Sequence, residues 1–247
     1  MCRGKKRCSE LAEVPENWDK RIPLRTPSWL EEEIDKFTNA VDLYIQGDRD
    51  LCIAMIQQIR SEDFTEWFIE HGQNSGYFRV KRLNTSPPIP IEQNLRDPLR
   101  SPRKYQDEVF VRDGYRCRYC GNKLISQFFM KKFIKNLNSP VFQRGSTNLT
   151  THGIIHATWP VADHVHPWNL GGKTNPDNLV ASCASCNYGK YNYTIEQLGI
   201  DNPFDFPPVV DCWDGLNSKI NKIGGTLRRL GQRPAIRSKS NSQAAHV

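Results

Sequence analysis

A chain of 247 residues that is 38% hydrophobic and 25% charged, with mean hydropathy −0.63, can bury one substantial core or two small ones. No apolar run reaches the roughly 18 to 20 residues that cross a bilayer, which excludes a membrane-spanning helix. A formal charge of +7 and a pI near 9.0 favour a polyanionic partner.

The start, MCRGKKRC, carries the positive charge of a signal peptide with no apolar segment behind it, which speaks against secretion and for a cytoplasmic protein. Prolines 15, 23 and 27 and the lack of periodicity make residues 1–27 an irregular arm. Ser28, followed three residues later by Glu31, reads as a capping box. Behind it Leu30, Ile34, Phe37, Val41, Tyr44 and Ile45 recur at helical spacing up to Gly47. A second helix is expected from Asp48 to Arg60 with Leu51, Met55, Ile56 and Ile59 inward. A third is expected from the cap Ser61 to near Gly72, burying Phe64, Trp67 and Phe68. Three such helices need a partner surface, either one another or the rest of the chain. They read equally as a nucleic-acid-reading module or as a packing and protein-interaction module.

Prolines 87, 88, 90, 98 and 102 exclude a regular helix or a central strand from 84–103 and mark a linker. A short helix from Lys104, with Tyr105, Val109 and Phe110 inward, leads to Asp113-Gly114. From Arg96 to Lys135 eleven basic residues face four acidic ones. No acidic side chain follows Asp214, and the last 15 residues, 233–247, form a basic tail expected to be disordered.

Eight cysteines include two C-x-x-C pairs, Cys117/Cys120 and Cys183/Cys186. Each such turn aims two sulfurs at one centre, and two turns complete a closed tetrahedral thiolate site suited to structural Zn2+ in a reducing compartment. Cys2 and Cys8 are a weaker pair that could hold a second ion. Between the pairs lie a basic, aromatic insert (Phe128, Phe129, Lys131, Lys132, Phe133, Lys135, Phe142, Arg144) and then Val161-Ala-Asp163-His164-Val165-His166-Pro167. Asn178-Leu179-Val180 follows, and Asn187-Tyr188-Gly189-Lys190 comes directly after Cys186. Phosphodiester hydrolysis needs a base near neutral pKa, which histidine supplies, and a divalent ion on hard oxygens, which Asp and Asn side chains hold. His166 joins His164 on one side only if the strand continues past His164. His152 and His156 read as structural.

These residues resemble the HNH nuclease family. The lead-in Arg112-Asp113-Gly114-Tyr115-Arg116-Cys117-Arg118-Tyr119-Cys120-Gly121 looks like that family's zinc-knuckle opening. The intervals His164 to Asn178 (14 residues) and Asp163 to Asn187 (24 residues) resemble those in the HNH domains of CRISPR effector nucleases. The resemblance covers roughly Tyr105 to Leu198. It implies an α+β protein with a ββα-metal domain and a structural zinc knuckle: strands at about Ala157–His164 and Asn178–Val180, and a helix from about Ser182. It also implies that His164 is the general base, Asp163 and Asn187 hold catalytic Mg2+ (or Mn2+), and Asn178 orients the His164 loop. Lys190, Arg116, Arg118, Lys131 and Lys132 are candidate nucleic-acid contacts, with a solvated helix position as the alternative for Lys190.

The expected layout is thus the arm (1–27), a helical accessory or recognition region (28–83), the linker (84–103) and the HNH domain (104–200) with its insert (about 121–157). A C-terminal extension (201–232) and the tail (233–247) complete it. The long insert is either an extra helix packed on the knuckle or a nucleic-acid grip. The expected activity is endonucleolytic cleavage of DNA, double-stranded in the leading reading, to 5′-phosphate and 3′-hydroxyl ends in a restriction or phage-defence role. A homodimer or a defence-system protein is an expected partner. The alternatives are a homing endonuclease and a non-catalytic zinc-dependent nucleic-acid-binding module.

Overall fold

A computed structural model describes residues 20–21, 26–71, 82 and 85–223. The expectations for the N-terminal arm with Cys2 and Cys8, and for the C-terminal basic tail, lie outside the described residues.

α1 (Ser28–Gln46) starts one residue earlier than the capping box suggests. Pro27, extended at φ −58° and ψ 145°, occupies the cap, its carbonyl accepts the Leu30 N–H (3.0 Å), and Ser28 is already helical. Gly47 ends the helix at φ 103°, a left-handed conformation that costs glycine no Cβ clash, with its N–H on the Tyr44 carbonyl (3.1 Å). α2 (Arg49–Gln57) is shorter than expected. Its inward face is Cys52 and Ile56, one turn apart, so Leu51 faces solvent instead of the core. α3 (Ser61–His71) buries Phe64, Trp67 and Phe68 as expected.

The partner surface for these helices is the insert. α4 (Gln106–Arg112) delivers the chain to the first cysteine pair, and the insert then folds into α5 (Gln127–Leu137) and α6 (Gly153–Thr158). Phe37 of α1 stacks on Phe142 (5.0 Å between centroids) and meets Phe133 of α5 edge-on (5.6 Å), while Tyr44 meets Phe133 from the other side (5.5 Å). Each fully buried phenyl ring contributes about 1.5–3 kcal/mol, so this cluster binds insert and helical region into one core. α3 lies so close to α6 that a Cβ on Gly153 would stand 2.0 Å from the Ser61 carbonyl oxygen, and Ser61 Oγ accepts the Gly153 N–H (2.9 Å).

His152 serves the same joint. Its Nδ1 accepts the Ile154 N–H at the start of α6, its ring packs on Phe142 (4.9 Å), and it bonds the Ile56 carbonyl of α2. Burial, with a lesser contribution from His156, pushes its pKa down to about 4. Below the unfolded value of about 6.5 the unfolded chain takes up a proton that the folded one refuses. Stability is therefore expected to fall as pH drops from about 6.5 to about 4, by as much as 3 kcal/mol. Denaturant midpoints for the protein and for His152→Gln across that window check this: the variant's acid slope should be shallower.

Ala157 and Thr158, expected in a strand, close α6 instead. β1 is Pro160–His164, pairing antiparallel with β2 (Leu179–Cys183) in the register Pro160↔Cys183, Asp163↔Val180 and His164↔Leu179. α7 (Ala184–Lys190) follows without a break, then the short α8 (Ile195–Leu198). The fold is α+β, with a ββα unit of β1, β2 and α7. Residues 201–223 wrap the knuckle: Ser126 N–H bonds the Gly215 carbonyl (2.9 Å) and Trp213 Nε1–H bonds that of Leu124 (2.9 Å). Among the described residues no helix is long and apolar enough to cross a membrane.

Candidate active site and metal centre

Two five-residue strands at about 3.3 Å per residue span about 13 Å, and the two chemical centres sit at opposite ends of this pair. At the Pro160↔Cys183 end, Cys117, Cys120, Cys183 and Cys186 are all buried, with their four sulfurs within 4.8 Å of one another. Cys120 and Cys183 Sγ are 3.8 Å apart. A tetrahedron of sulfurs around an ion at about 2.3 Å has edges of about 3.8 Å, so the set fits a closed metal site with no open position. The backbone agrees: Cys186 N–H points at Cys183 Sγ (3.4 Å), and Gly121 (φ 76°) turns the first pair so that its N–H meets the Cys117 carbonyl (2.8 Å).

The lead-in fixes the strand pair to this centre. Asp113, almost fully buried, is held bidentately by Arg112 (2.9 and 3.0 Å) and accepts the Ala181 N–H of β2 (2.7 Å). Arg112 also donates to the carbonyls of Pro176 (2.7 Å) and Leu179 (2.6 Å), on either side of Asn178. Arg118 N–H meets the Ala181 carbonyl (2.8 Å).

At the other end lie Asp163 and His164. Asp163 is 7% exposed. Its Oδ2 accepts from Tyr119 Oη (2.8 Å) and lies 3.3 Å from Lys190 Nζ. Tyr119, from inside the first C-x-x-C turn, keeps its proton because burial, and then the Asp163 charge, raise its pKa well above the usual value. Lys190 is 1% exposed and donates to the His164 carbonyl (2.7 Å). Asn187 stands three residues before Lys190 on α7 and so shares its face toward β1. Its carboxamide has no hydrogen-bond partner among the described residues. Asp163 and Asn187 offer a carboxylate and a carboxamide oxygen, hard donors of the kind that suit Mg2+ or Mn2+.

His164 is half-buried, and burial lowers its pKa, opposed by the neighbouring charge of Asp163. Its Nε2 is bonded to Thr174 Oγ1 (2.8 Å), leaving Nδ1 without a partner among the described residues. The loop between the strands is held from inside by Asn178, whose Oδ1 accepts the His166 N–H (2.8 Å) and whose Nδ2 donates to the carbonyls of His166 (2.9 Å) and Lys173 (2.8 Å). Gly172 makes this possible, since a Cβ there would stand 1.8 Å from the His166 oxygen. β1 ends at His164, so His166 does not share its side by strand alternation. His166 is exposed, with Nε2 on the Leu170 carbonyl (3.1 Å).

The cations singled out from the sequence divide. Lys190 is buried against Asp163, and Arg118 is half-buried with its guanidinium on the carbonyls of Pro203 and Phe206, so both cations already have partners within the protein. Arg116 pairs with Asp211 (2.6 Å), and Lys132 with the Ile220 carbonyl (2.8 Å). Lys131 remains at the surface beside the Trp159 ring (5.8 Å), where Arg144 also stacks (4.5 Å). Residue-type reasoning missed Tyr119 and Thr174. Tyr119 carries a signal in its place between two ligating cysteines; Thr174, ten residues from His164, carries none.

Residues 160–192 match the family model described as HNH endonuclease. The match spans β1, β2 and α7, and it contains Asp163, His164, Asn178, Asn187 and the second cysteine pair. The family resemblance read from the sequence is borne out. Neither the curated proteins nor the solved structures give a significant match.

Proposed function

We propose that the protein is a metal-dependent endonuclease that hydrolyses DNA to 5′-phosphate and 3′-hydroxyl ends. The observation that carries this reading is the match of residues 160–192, with Asp163, His164 and Asn187 on its strand pair and helix, to the HNH endonuclease model, together with the four clustered thiols at the Pro160↔Cys183 end of that pair. Cys117, Cys120, Cys183 and Cys186 would hold Zn2+ as a structural ion. Asp163 and Asn187 would hold Mg2+ or Mn2+, which would supply charge stabilisation at phosphorus and at the departing oxygen. His164 takes a proton from water through Nδ1 as the water oxygen bonds to phosphorus and the bond to the 3′ oxygen breaks. The 3′ oxygen leaves as a hydroxyl after gaining a proton from solvent. Tyr119 and Lys190 fix the Asp163 carboxylate, and Asn178 keeps the loop that follows His164 in one conformation.

The lowered pKa of His164 supports the base role, because the ring is then neutral at neutral pH. The +7 charge supports a nucleic-acid substrate. A helical region outside the family match supports a restriction or phage-defence setting in the cytoplasm over a homing endonuclease.

The test is cleavage of plasmid, single-stranded, modified and phage DNA with Mg2+ or Mn2+. Asp163→Ala is expected to lower the rate by about 100-fold or more and to lower the melting temperature, because Lys190 and Tyr119 lose a buried partner, while zinc content stays unchanged. DNA left intact by the protein across that panel, or cut equally by the variant, ends the proposal. Binding that persists with no dependence on divalent ion would favour the non-catalytic module.

A further inference from the structure

The segment 91–100 contributes more than a connection. Asp97 touches both ends of the loop that joins the two catalytic strands. Its backbone carbonyl accepts Trp168 Nε1–H (2.9 Å), and its carboxylate Oδ2 accepts the Thr174 N–H (3.0 Å) while Oδ1 accepts that of Leu99 (2.8 Å). The segment is pinned beside the loop by Ile91 N–H on the Asn169 carbonyl (3.0 Å) and by the Arg96 guanidinium on the Ile91 carbonyl (2.9 and 2.7 Å). Arg96 and Arg100 both lie over the Trp168 ring (5.3 and 5.1 Å). Thr174, 3% exposed, in turn holds His164 Nε2.

We infer that Asp97 and Thr174 are positioning residues for His164: Asp97 fixes the Thr174 backbone, and the Thr174 hydroxyl accepts the Nε2 proton, so that the ring presents a bare Nδ1 to the reacting water. The inference rests on His164 as the base. Two features support it independently of activity. Thr174 is the one ring-nitrogen partner of His164 among the described residues, and its hydroxyl can accept the Nε2 proton, the arrangement in which an unpartnered Nδ1 is a bare acceptor. The two amide bonds, that of Thr174 foremost, hold the Asp97 carboxyl below the usual carboxylate range, so the carboxylate is an acceptor across the neutral range. Asp97 and Thr174 are separated by 77 residues, and Asp97 lies outside the matched segment.

The experiment pairs ring 15N spectra of His164 in the zinc-loaded protein with single-turnover cleavage. Thr174→Val should convert a predominantly Nε2-protonated ring into a tautomer mixture and lower kcat by about 10- to 100-fold, with KM for DNA within about twofold. Thr174→Ser should restore both readouts. Asp97→Ala, at a half-buried side chain, should shift them in the same direction by a smaller factor, with thermal unfolding measured beside it to show that the variant is folded. Wild-type tautomer and kcat in both Thr174→Val and Asp97→Ala overturn the inference. So does failure of Thr174→Ser to restore a loss seen in Thr174→Val. A tautomer shift with no DNA cleavage by the unmodified protein, or with His164→Ala as active as wild type, would leave the positioning device standing and sink the base assignment instead.

Discussion

Replacing His164 with alanine is expected to lower DNA cleavage by about two to four orders of magnitude, the range that a positioned general base contributes. Melting temperature and zinc content should stay unchanged. The separation follows from geometry. His164 is the last residue of β1, its ring is half-buried, and among the described residues its side chain makes one hydrogen bond, to Thr174. Truncation therefore leaves the strand register and the Lys190 bond to the His164 carbonyl in place, because that bond uses the backbone. The measurement is rate against enzyme concentration with saturating Mg2+, beside thermal unfolding. A variant that cuts within about threefold of wild type would remove His164 from the proton transfer, since even modest base catalysis exceeds that margin.

Cys183→Ser should have the opposite signature, losing structure first and activity as a consequence. Cys183 is a thiolate donor, the pairing partner of Pro160 in the strand register, and the residue whose sulfur accepts the Cys186 N–H in the first turn of α7. A four-thiolate site contributes on the order of 10 kcal/mol or more of folding free energy, which matches or exceeds the net stability of an average domain, about 5–15 kcal/mol. Zinc content is expected to drop from one per chain toward zero, with loss of the cooperative transition or aggregation. Chelation strong enough to strip zinc should reproduce that state, whereas mild EDTA should abolish cleavage reversibly, with Mg2+ restoring it. Equal melting of Cys183→Ser and Asp163→Ala would contradict the division into a structural and a catalytic ion.

The elements that chemistry spells out in short spacings were legible in the sequence. Both C-x-x-C turns converge, Asp163 and His164 lie together on β1, and Asn187 follows the last thiolate on the helix. α1 and α3 were legible because their apolar residues recur over several turns. What escaped depends on contacts between distant segments. Tyr119 meets Asp163 across 44 residues and Asp97 meets Thr174 across 77, and no local pattern encodes either. The stretch around Ala157, apolar and short, suits strand or helix equally; the close approach of Gly153 to Ser61 and the Thr158 hydroxyl on the Ile154 carbonyl (2.7 Å) select the helix. Lys190 looked like a solvent-facing or phosphate-facing cation because its side chain is long and charged. Only the tertiary structure shows its ammonium closed in against Asp163.

The placement of the insert between the two cysteine pairs also sets an order of assembly. Joining Cys120 to Cys183 closes a loop of 63 residues, costing about 4 kcal/mol in chain entropy if that loop is unstructured. During synthesis the aromatic cluster of Phe37, Phe133 and Phe142 is complete some 40 residues before Cys183 is made. An insert already docked on α1 carries the first cysteine pair on a short tether and removes much of that entropy before the second pair arrives. Asn187 is the residue after the last thiolate, so the emerging chain has no complete cutting site until its zinc ligands have all been made. On the proposed function, a ribosome-bound fragment that ends before Asn187 would therefore be inactive.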